Sequence, residues 1–176
     1  GLGAALALAA AQRRWSDLPP LRSAQIAFVG PLVGEVTMVP QLLRRGRTAA
    51  YIQVDVRAGD ARGLRAMLVF MAPQESHVDL APPVRDDLPP RHEPFVPPPQ
   101  VAFAHRFEIH RTAAERHGTA MVERWARLRA RGGLDPAVEL LAIGDVLPPA
   151  AMLLFTRFGP ISSMTWQINL LSQRAE

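Results

Sequence analysis

Leu134-Asp-Pro-Ala-Val-Glu-Leu-Leu-Ala-Ile-Gly-Asp-Val-Leu-Pro-Pro-Ala-Ala-Met-Leu-Leu-Phe155, followed by Ile161-Ser-Ser-Met-Thr-Trp-Gln167, is the stretch that decides the fold. Asp135 and Pro136 form a helix start, with Asp as the cap and Pro at the first helical position. Between Leu140 and Phe155 the one charged side chain is Asp145. A lone carboxylate in so apolar a helix is costly to bury unless it is paired, hydrogen-bonded or used. Leu147-Pro-Pro149 interrupts the helix, because proline cannot donate to the ladder. Ile161–Leu171 is the expected last strand, and Ser172–Glu176 a polar tail.

The opening of the chain has the same plan. Gly1–Ser16 is expected to be a helix, apolar nearly all round and so buried on most faces. Arg13 and Arg14 suit its C-terminal end, and Asp17-Leu-Pro-Pro20 stops it. Strands follow at Arg22–Pro31, Val33–Leu43, Thr48–Arg57 and Leu64–Met71. Turns are expected at Arg44-Arg-Gly-Arg47 and Ala58–Gly63. A buried helix followed by an antiparallel meander suggests a sheet wrapped around that helix.

Residues 73–100 hold prolines at 73, 82, 83, 89, 90, 94, 97, 98 and 99 and read as an extended linker. Beyond it come strands at Val101–Arg111 and Thr119–Arg129. The expected organisation is 1–72, a first helix-and-sheet unit; 73–100, the linker; and 101–176, a second unit. A shift of 140 residues lays the first segment on the last. Trp15 falls on Phe155, Pro20 on Pro160, Ser23 on Ser163, Ile26 on Trp166 and Phe28 on Ile168. Two copies of one unit give this pattern. Ala5 falls under Asp145, so only the second copy carries the acid.

Composition narrows the function classes. The chain has 176 residues, 48% of them hydrophobic, and no cysteine. A disulfide framework and a thiolate metal site are therefore excluded, which fits a reducing compartment. All 20 basic residues are arginine; they are dispersed among 16 acids. Nucleic-acid binding calls for a concentrated basic face with stacking aromatics, which is absent. The apolar run Leu2–Ala11 is too short to span a bilayer, and no signal peptide is evident. The five histidines show no metal spacing. There is neither a Gly-rich phosphate loop nor a G-x-S-x-G elbow.

Several pieces in order carry a family resemblance. They are Gly-Leu-Gly-Ala-Ala-Leu6, Phe28-Val-Gly-Pro31 leading to Leu43-Arg-Arg-Gly-Arg47, Phe107-Glu-Ile-His-Arg111, Trp125-Ala-Arg127 and Leu140–Pro149. Together they resemble the double hot-dog acyl-CoA thioesterases of the thioesterase II group. The resemblance implies an α+β double hot-dog fold, antiparallel sheets each wrapped around a central helix. It also implies that an opening strand before the first helix and later strands of the second unit are missing from this chain.

The family uses an Asp on the second helix, a Ser or Thr on the following strand and a Gln on a late strand. Asp145 matches the Asp, and Ser163 the hydroxyl, with Thr165 as the register alternative; the chain shows no position for the late Gln. The implied reaction is hydrolysis of acyl-CoA by water that Asp145 activates and Ser163 orients, with the apolar helix raising the Asp145 pKa. No cofactor is implied beyond the coenzyme A of the substrate. Gly1 and Gly3 would let the thioester oxygen approach backbone N–H groups, and Arg44, Arg45 and Arg47 would meet coenzyme A phosphates.

Each role has a plainer alternative. Asp145 would cap a turn starting at Val146, Ser163 and Gln167 would be ordinary strand polarity, the glycines terminal flexibility, and the arginines a solvated hairpin tip. His105, on an apolar strand face, offers a hot-dog dehydratase as a competing enzyme. An acyl-binding or assembly module without turnover is the non-enzymatic alternative. The expected substrate cleft lies between helix and sheet, the expected location is cytoplasmic, and exposed strand edges predict a homodimer or higher oligomer.

Overall fold

The computed structural model describes residues 1–75, 77, 91, 93–113, 115, 116, 118–157, 159 and 161–171. Most of the proline-rich run and the tail 172–176 lie outside the described residues. Two compact units are present. The first combines Gly1–Pro73, Gly133–Gly144 and Pro160–Glu176; the second combines Gln74–Gly132 and Asp145–Gly159. The spatial grouping thus differs from the three-part division along the sequence, because a helix and a strand from the C-terminal part join the first unit.

In the first unit α1 (Leu2–Arg14) is built from alanine and leucine, the strongest helix formers. It ends where Trp15 turns extended ahead of Pro19 and Pro20, with Arg13 and Arg14 in its last turn. Ala4, Ala5, Ala7, Leu8 and Ala11 are buried, whereas Leu2 is 67% exposed. Burial follows one stripe, and the remaining apolar positions are half-covered.

Five antiparallel strands form one sheet in the order β2-β3-β4-β1-β7. They are β1 (Leu21–Phe28), β2 (Thr37–Arg45), β3 (Ala49–Ala58), β4 (Ala61–Met71) and β7 (Thr165–Asn169). Alternation sets two faces. Ala24 and Ile26 of β1, Ile52 and Val54 of β3 and Ala66 and Leu68 of β4 are buried on the face that packs against α1. Leu8 and these side chains expose 2% or less. The space where a substrate cleft was expected is therefore filled in this unit.

Several strand limits differ from the sequence reading; β1 ends at Phe28 and not Pro31, and β4 begins at Ala61, three residues before Leu64. β2 starts at Thr37, because the segment from Pro31 turns through Gly34 at φ +77°. It also runs through Arg44 and Arg45, so the turn is confined to the residues after them, with the Gly46 N–H bonded to the Ala49 carbonyl at 2.8 Å. β7 begins four residues later than the expected Ile161, at Thr165, where pairing with β1 begins.

The second unit holds a hairpin of β5 (Phe107–Arg111) and β6 (Arg124–Leu128). The strand expected from Val101 is instead a 3-10 turn over Ala102–Arg106. Its backbone groups close on themselves: Val101 N–H to the Pro98 carbonyl at 2.9 Å, and Ala104 N–H to the Val101 carbonyl at 3.0 Å. His105 is exposed on this turn with Nε2 3.3 Å from the Pro98 carbonyl, not on an apolar strand face. β6 is short because its ladder ends where Arg124 meets Arg111.

A salt-bridged aromatic cluster anchors this unit. Arg124 grips Glu115 through Nε and Nη2, both at 2.6 Å. Their side chains are only 6% and 4% exposed. The guanidinium groups of Arg111 and Arg124 lie 4.6 and 4.3 Å from the Phe95 ring centroid, holding residues 93–95 along β5. Glu108 bridges His110 and Arg127 at 3.0 and 2.7 Å. Its carboxyl is held below the usual range, first by the His110 hydrogen bond and then by Arg127.

In the first unit Asp55 on β3 is buried, and it pairs with Arg65 at 2.7 and 3.0 Å and with Arg62 at 2.9 Å. The Arg65 hydrogen bond outweighs the burial that opposes it, and Arg62 adds to it, so the Asp55 carboxyl sits below its ordinary range. A depressed carboxyl stabilises fully above the unfolded pKa of about 4, and the contribution is lost as pH falls through the lower folded value. Acid titration of stability should therefore show a loss below about pH 4 that is reduced in Asp55→Asn. Glu115→Ala, which strands Arg124 in a buried position, should cost about 3 kcal/mol in denaturant unfolding.

Candidate functional site

α2 (Pro136–Ile143) begins as the sequence dictates: Asp135 accepts from the N–H groups of Ala137 and Val138 at 2.9 and 3.2 Å. It ends earlier than the apolar run suggests. Pro148 in a continued helix would drive its ring into the carbonyl of residue 144, and the helix stops at Ile143 with Gly144 as its cap. Past this point come a turn and a separate 3-10 segment, Ala150–Leu154, capped by Pro149.

Asp145 therefore lies in a turn beyond α2, half-buried, and not within an apolar helix. No helix begins at Val146, where the alternative cap reading placed a helical turn. The 140-residue alignment fails here too: Ala5 is inside α1, whereas Asp145 is outside α2.

The end of α2 is held at two points within the first unit. A Cβ on Gly1 would overlap the Ala142 carbonyl, so the start of α1 sits directly on the end of α2. The positive end of one helix dipole thereby meets the negative end of the other. On Gly144 a Cβ would come within 2.7 Å of Cζ2 of Trp166. Trp166 is in β7, directly opposite Ile26 of β1. Asp145 is the residue after Gly144, and Thr165 the residue before Trp166.

The predicted site residues fall in both units. Asp145 belongs to the second; Ser163 and Thr165 belong to the first. Ser163 is exposed in the segment ahead of β7. Thr165 opens β7 and faces away from the Trp166 side of the sheet. There it lines a hollow of about 390 Å³ with Gln25, Ala27, Arg65, Met67 and Gln167.

The space beside both glycines is taken by the chain itself. Ala142 closes on Gly1, and at Gly3 the Leu64 Cδ1 stands 2.9 Å from where a Cβ would be. Arg45 is committed to Asp17, with Nη1–Oδ1 at 3.0 Å and Nη2–Oδ2 at 2.7 Å, which holds the Asp17 carboxyl below its usual range. Arg44 and Arg47 are exposed. Among the described residues no group of acids and histidines could hold a metal ion. Sequence reasoning missed the Gly144–Trp166 contact and the Asp55–Arg65 pair. The second was within reach: the hairpin that turns at Gly59 sets Asp55 opposite Arg65.

With this geometry in place, comparison with known proteins gives the family. The acyl-CoA thioesterase N-terminal domain matches residues 1–71 and the acyl-CoA thioesterase C-terminal domain residues 81–176. The chain belongs to the acyl-CoA thioesterase family. Its fold is that of the hot-dog proteins. A conserved hot-dog protein of Alicyclobacillus acidocaldarius superposes with TM-score 0.81 at 21% identity, over 97% of this chain and 66% of that one. A thioesterase II candidate of Thermobifida fusca gives 0.72 at 19% identity, over 93% and 65%. A tesB protein of Mycobacterium avium subs paratuberculosis gives 0.71 at 22%, over 97% and 67%. The chain thus spans about two thirds of the length of these relatives. No curated protein sequence matches it.

The tight Gly144 contact generates a prediction. Gly144→Ala keeps an ordinary helical φ of −58° but drives a methyl into the Trp166 ring. Overpacking of this kind should cost about 1–3 kcal/mol in thermal or denaturant unfolding, with a change in Trp fluorescence. Trp166→Leu in the same background should recover part of the loss.

Proposed function

We propose that this protein hydrolyses acyl-CoA thioesters. The observation that carries the proposal is the match to both thioesterase domains, which together account for residues 1–71 and 81–176. Asp145 is the base. Its carboxylate takes a proton from water as the water oxygen attacks the thioester carbonyl carbon. The C–S bond then breaks, the carboxylic acid leaves, and the coenzyme A thiolate takes the proton back from Asp145. Ser163 orients the water. It is preferred to Thr165 because Thr165 is fixed in β7 and turned towards the outer hollow. The clamp of α2 by Gly1 and Trp166 supports the assignment, since it fixes the backbone from which Asp145 continues.

The exposed Arg44 and Arg47 are the arginines left to meet the coenzyme A phosphates, and Gly1 and Gly3 keep the proposed role beside the thioester oxygen only if the packed contacts at both positions open. The chemistry uses no cofactor apart from the substrate's own coenzyme A. Among the described residues no helix is long and apolar enough to cross a membrane. The cysteine-free composition supports a cytoplasmic location.

The second reading is an acyl-CoA-binding module without turnover. It is favoured by the position of Asp145 in a turn instead of a helix. Thiol release from a panel of acyl-CoAs, measured on the full-length gene product, separates the two. Asp145→Asn should lower kcat by about 100-fold or more with KM little changed. Ser163→Ala should lower it by roughly 10-fold, and Thr165→Ala by less. An Asp145→Asn enzyme with intact kcat removes Asp145 as the base. Binding of an acyl-CoA with no turnover by the wild type establishes the module.

A further inference from the structure

The β3–β4 hairpin gathers arginines on the face of the sheet turned away from α1. Strand register sets Thr37 of β2, Arg57 of β3 and Arg62 of β4 in one row, with Arg57 directly opposite Arg62. The register shifts at Gly63, which brings Arg62 to the side of Asp55 and Arg65. Like charges directly opposite each other on paired strands destabilise a sheet. One carboxylate serves all three guanidinium groups. Asp55 accepts from Arg65 through Oδ1 at 2.7 Å and Oδ2 at 3.0 Å. Arg62 Nε stands 2.9 Å from the same Oδ2 but does not meet it in a hydrogen bond.

The Arg57 side chain has no ion pair or hydrogen bond among the described residues. Asp60, in the hairpin turn, and Glu35, ahead of β2, are exposed and form no ion pair among the described residues either. Three guanidiniums against one carboxylate leave the cluster two positive charges in excess. The Nε atoms of Arg57 and Arg62 are both buried and both without an acceptor. A buried donor with no acceptor is costly, and the cost is removed when an acceptor arrives. The excess charge and the open donors face the same place. We infer that Arg57 and Arg62, with the exposed Thr37 hydroxyl beside them, form a binding site for a phosphate monoester.

Charge and shape select this class of ligand. A phosphate monoester carries about −1.5 to −2 at pH 7 and matches the excess, whereas a carboxylate supplies half as much. Its three terminal oxygens serve two guanidinium forks and a hydroxyl together, and guanidinium pairs with phosphate through two parallel N–H groups. Directly opposed residues have Cβ atoms about 4.5–5.5 Å apart, so both forks reach one phosphorus centre. Asp55 keeps Arg65 in place beside them and so borders the site without filling it. The site does not rest on the catalytic reading. Its occupant is either free phosphate or the phosphate monoester of a larger molecule, such as the 3′-phosphate of coenzyme A.

The test is calorimetric titration of the chain with inorganic phosphate at low ionic strength, beside thermal unfolding of each variant with and without phosphate. Wild type should bind phosphate and gain Tm from it. Arg57→Gln and Arg62→Gln should each raise Kd by about 10- to 100-fold and lose the Tm gain. In phosphate-free buffer Arg57→Gln should unfold no earlier than wild type, because it removes one of two opposed like charges. Arg13→Gln, which takes the same charge from α1, should bind as wild type does. Titration with coenzyme A and dephospho-coenzyme A separates the sources. Tighter binding of coenzyme A that depends on Arg57 supports the site and assigns it to a larger molecule; equal affinities, with inorganic phosphate still bound, support it as a site for free phosphate. Wild type that binds no phosphate at millimolar concentration overturns the inference. So does binding that survives in both folded variants, or that Arg13→Gln weakens equally, since either describes diffuse attraction to a net-positive chain.

Discussion

The antiparallel pairing of β1 with β7 is the interaction on which the rest depends. It joins residues 21–28 to residues 165–169, and sets Ile26 opposite Trp166. On one face it delivers the Trp166 indole to Gly144, the cap of α2. On the other it sets Gln167 beside Gln25. Ile26 and Trp166 are also equivalents in the 140-residue internal match. An antiparallel pair centred on two equivalent residues is what a local twofold relation between the copies produces.

Much of this was legible in the residues themselves. The period-2 patterns at Ala24–Ile26, Ile52–Val56 and Leu64–Phe70 located three core strands, and Asp135-Pro136 located the start of α2 to the residue. The thioesterase resemblance, carried by pieces spread along the whole chain, matches the family found by comparison. Less legible were the places where local geometry overrides composition. Apolar residues from Leu140 to Phe155 look like one long helix, but Pro148 forbids it from four residues upstream. Val101–Arg106 alternates like a strand, yet the three prolines before it start a turn that consumes its hydrogen bonds.

The candidate site was legible in part. Asp145 was singled out because it is the lone charge in an apolar run, and that remains true of the sequence although its backbone is a turn. Ser163 and Thr165 could not be separated by sequence, because strand onset and facing are set by the partner β1. What no periodicity reveals is the pair of close approaches, Gly1 on Ala142 and Gly144 on Trp166. Each joins segments over 20 residues apart, and only glycine leaves room for them. The two arginine pairs differ in this respect: Arg45 finds Asp17 in the turn after α1, outside any strand pairing, whereas Arg65 meets Asp55 through the hairpin register.

The register of β1 against β7 can be measured directly, because the chain contains no cysteine. Gln25 and Gln167 are directly opposed and exposed. Opposed residues in an antiparallel pair have Cα atoms about 4.5–5.5 Å apart, within disulfide range. The doubly substituted chain Gln25→Cys, Gln167→Cys should form an intrachain disulfide on mild oxidation, detected by mass after proteolysis. The pair Gln25→Cys, Asn169→Cys, displaced by two residues, should form little or none. Preferential closure of the displaced pair, or of neither, would contradict the β1–β7 pairing and with it the account of both faces.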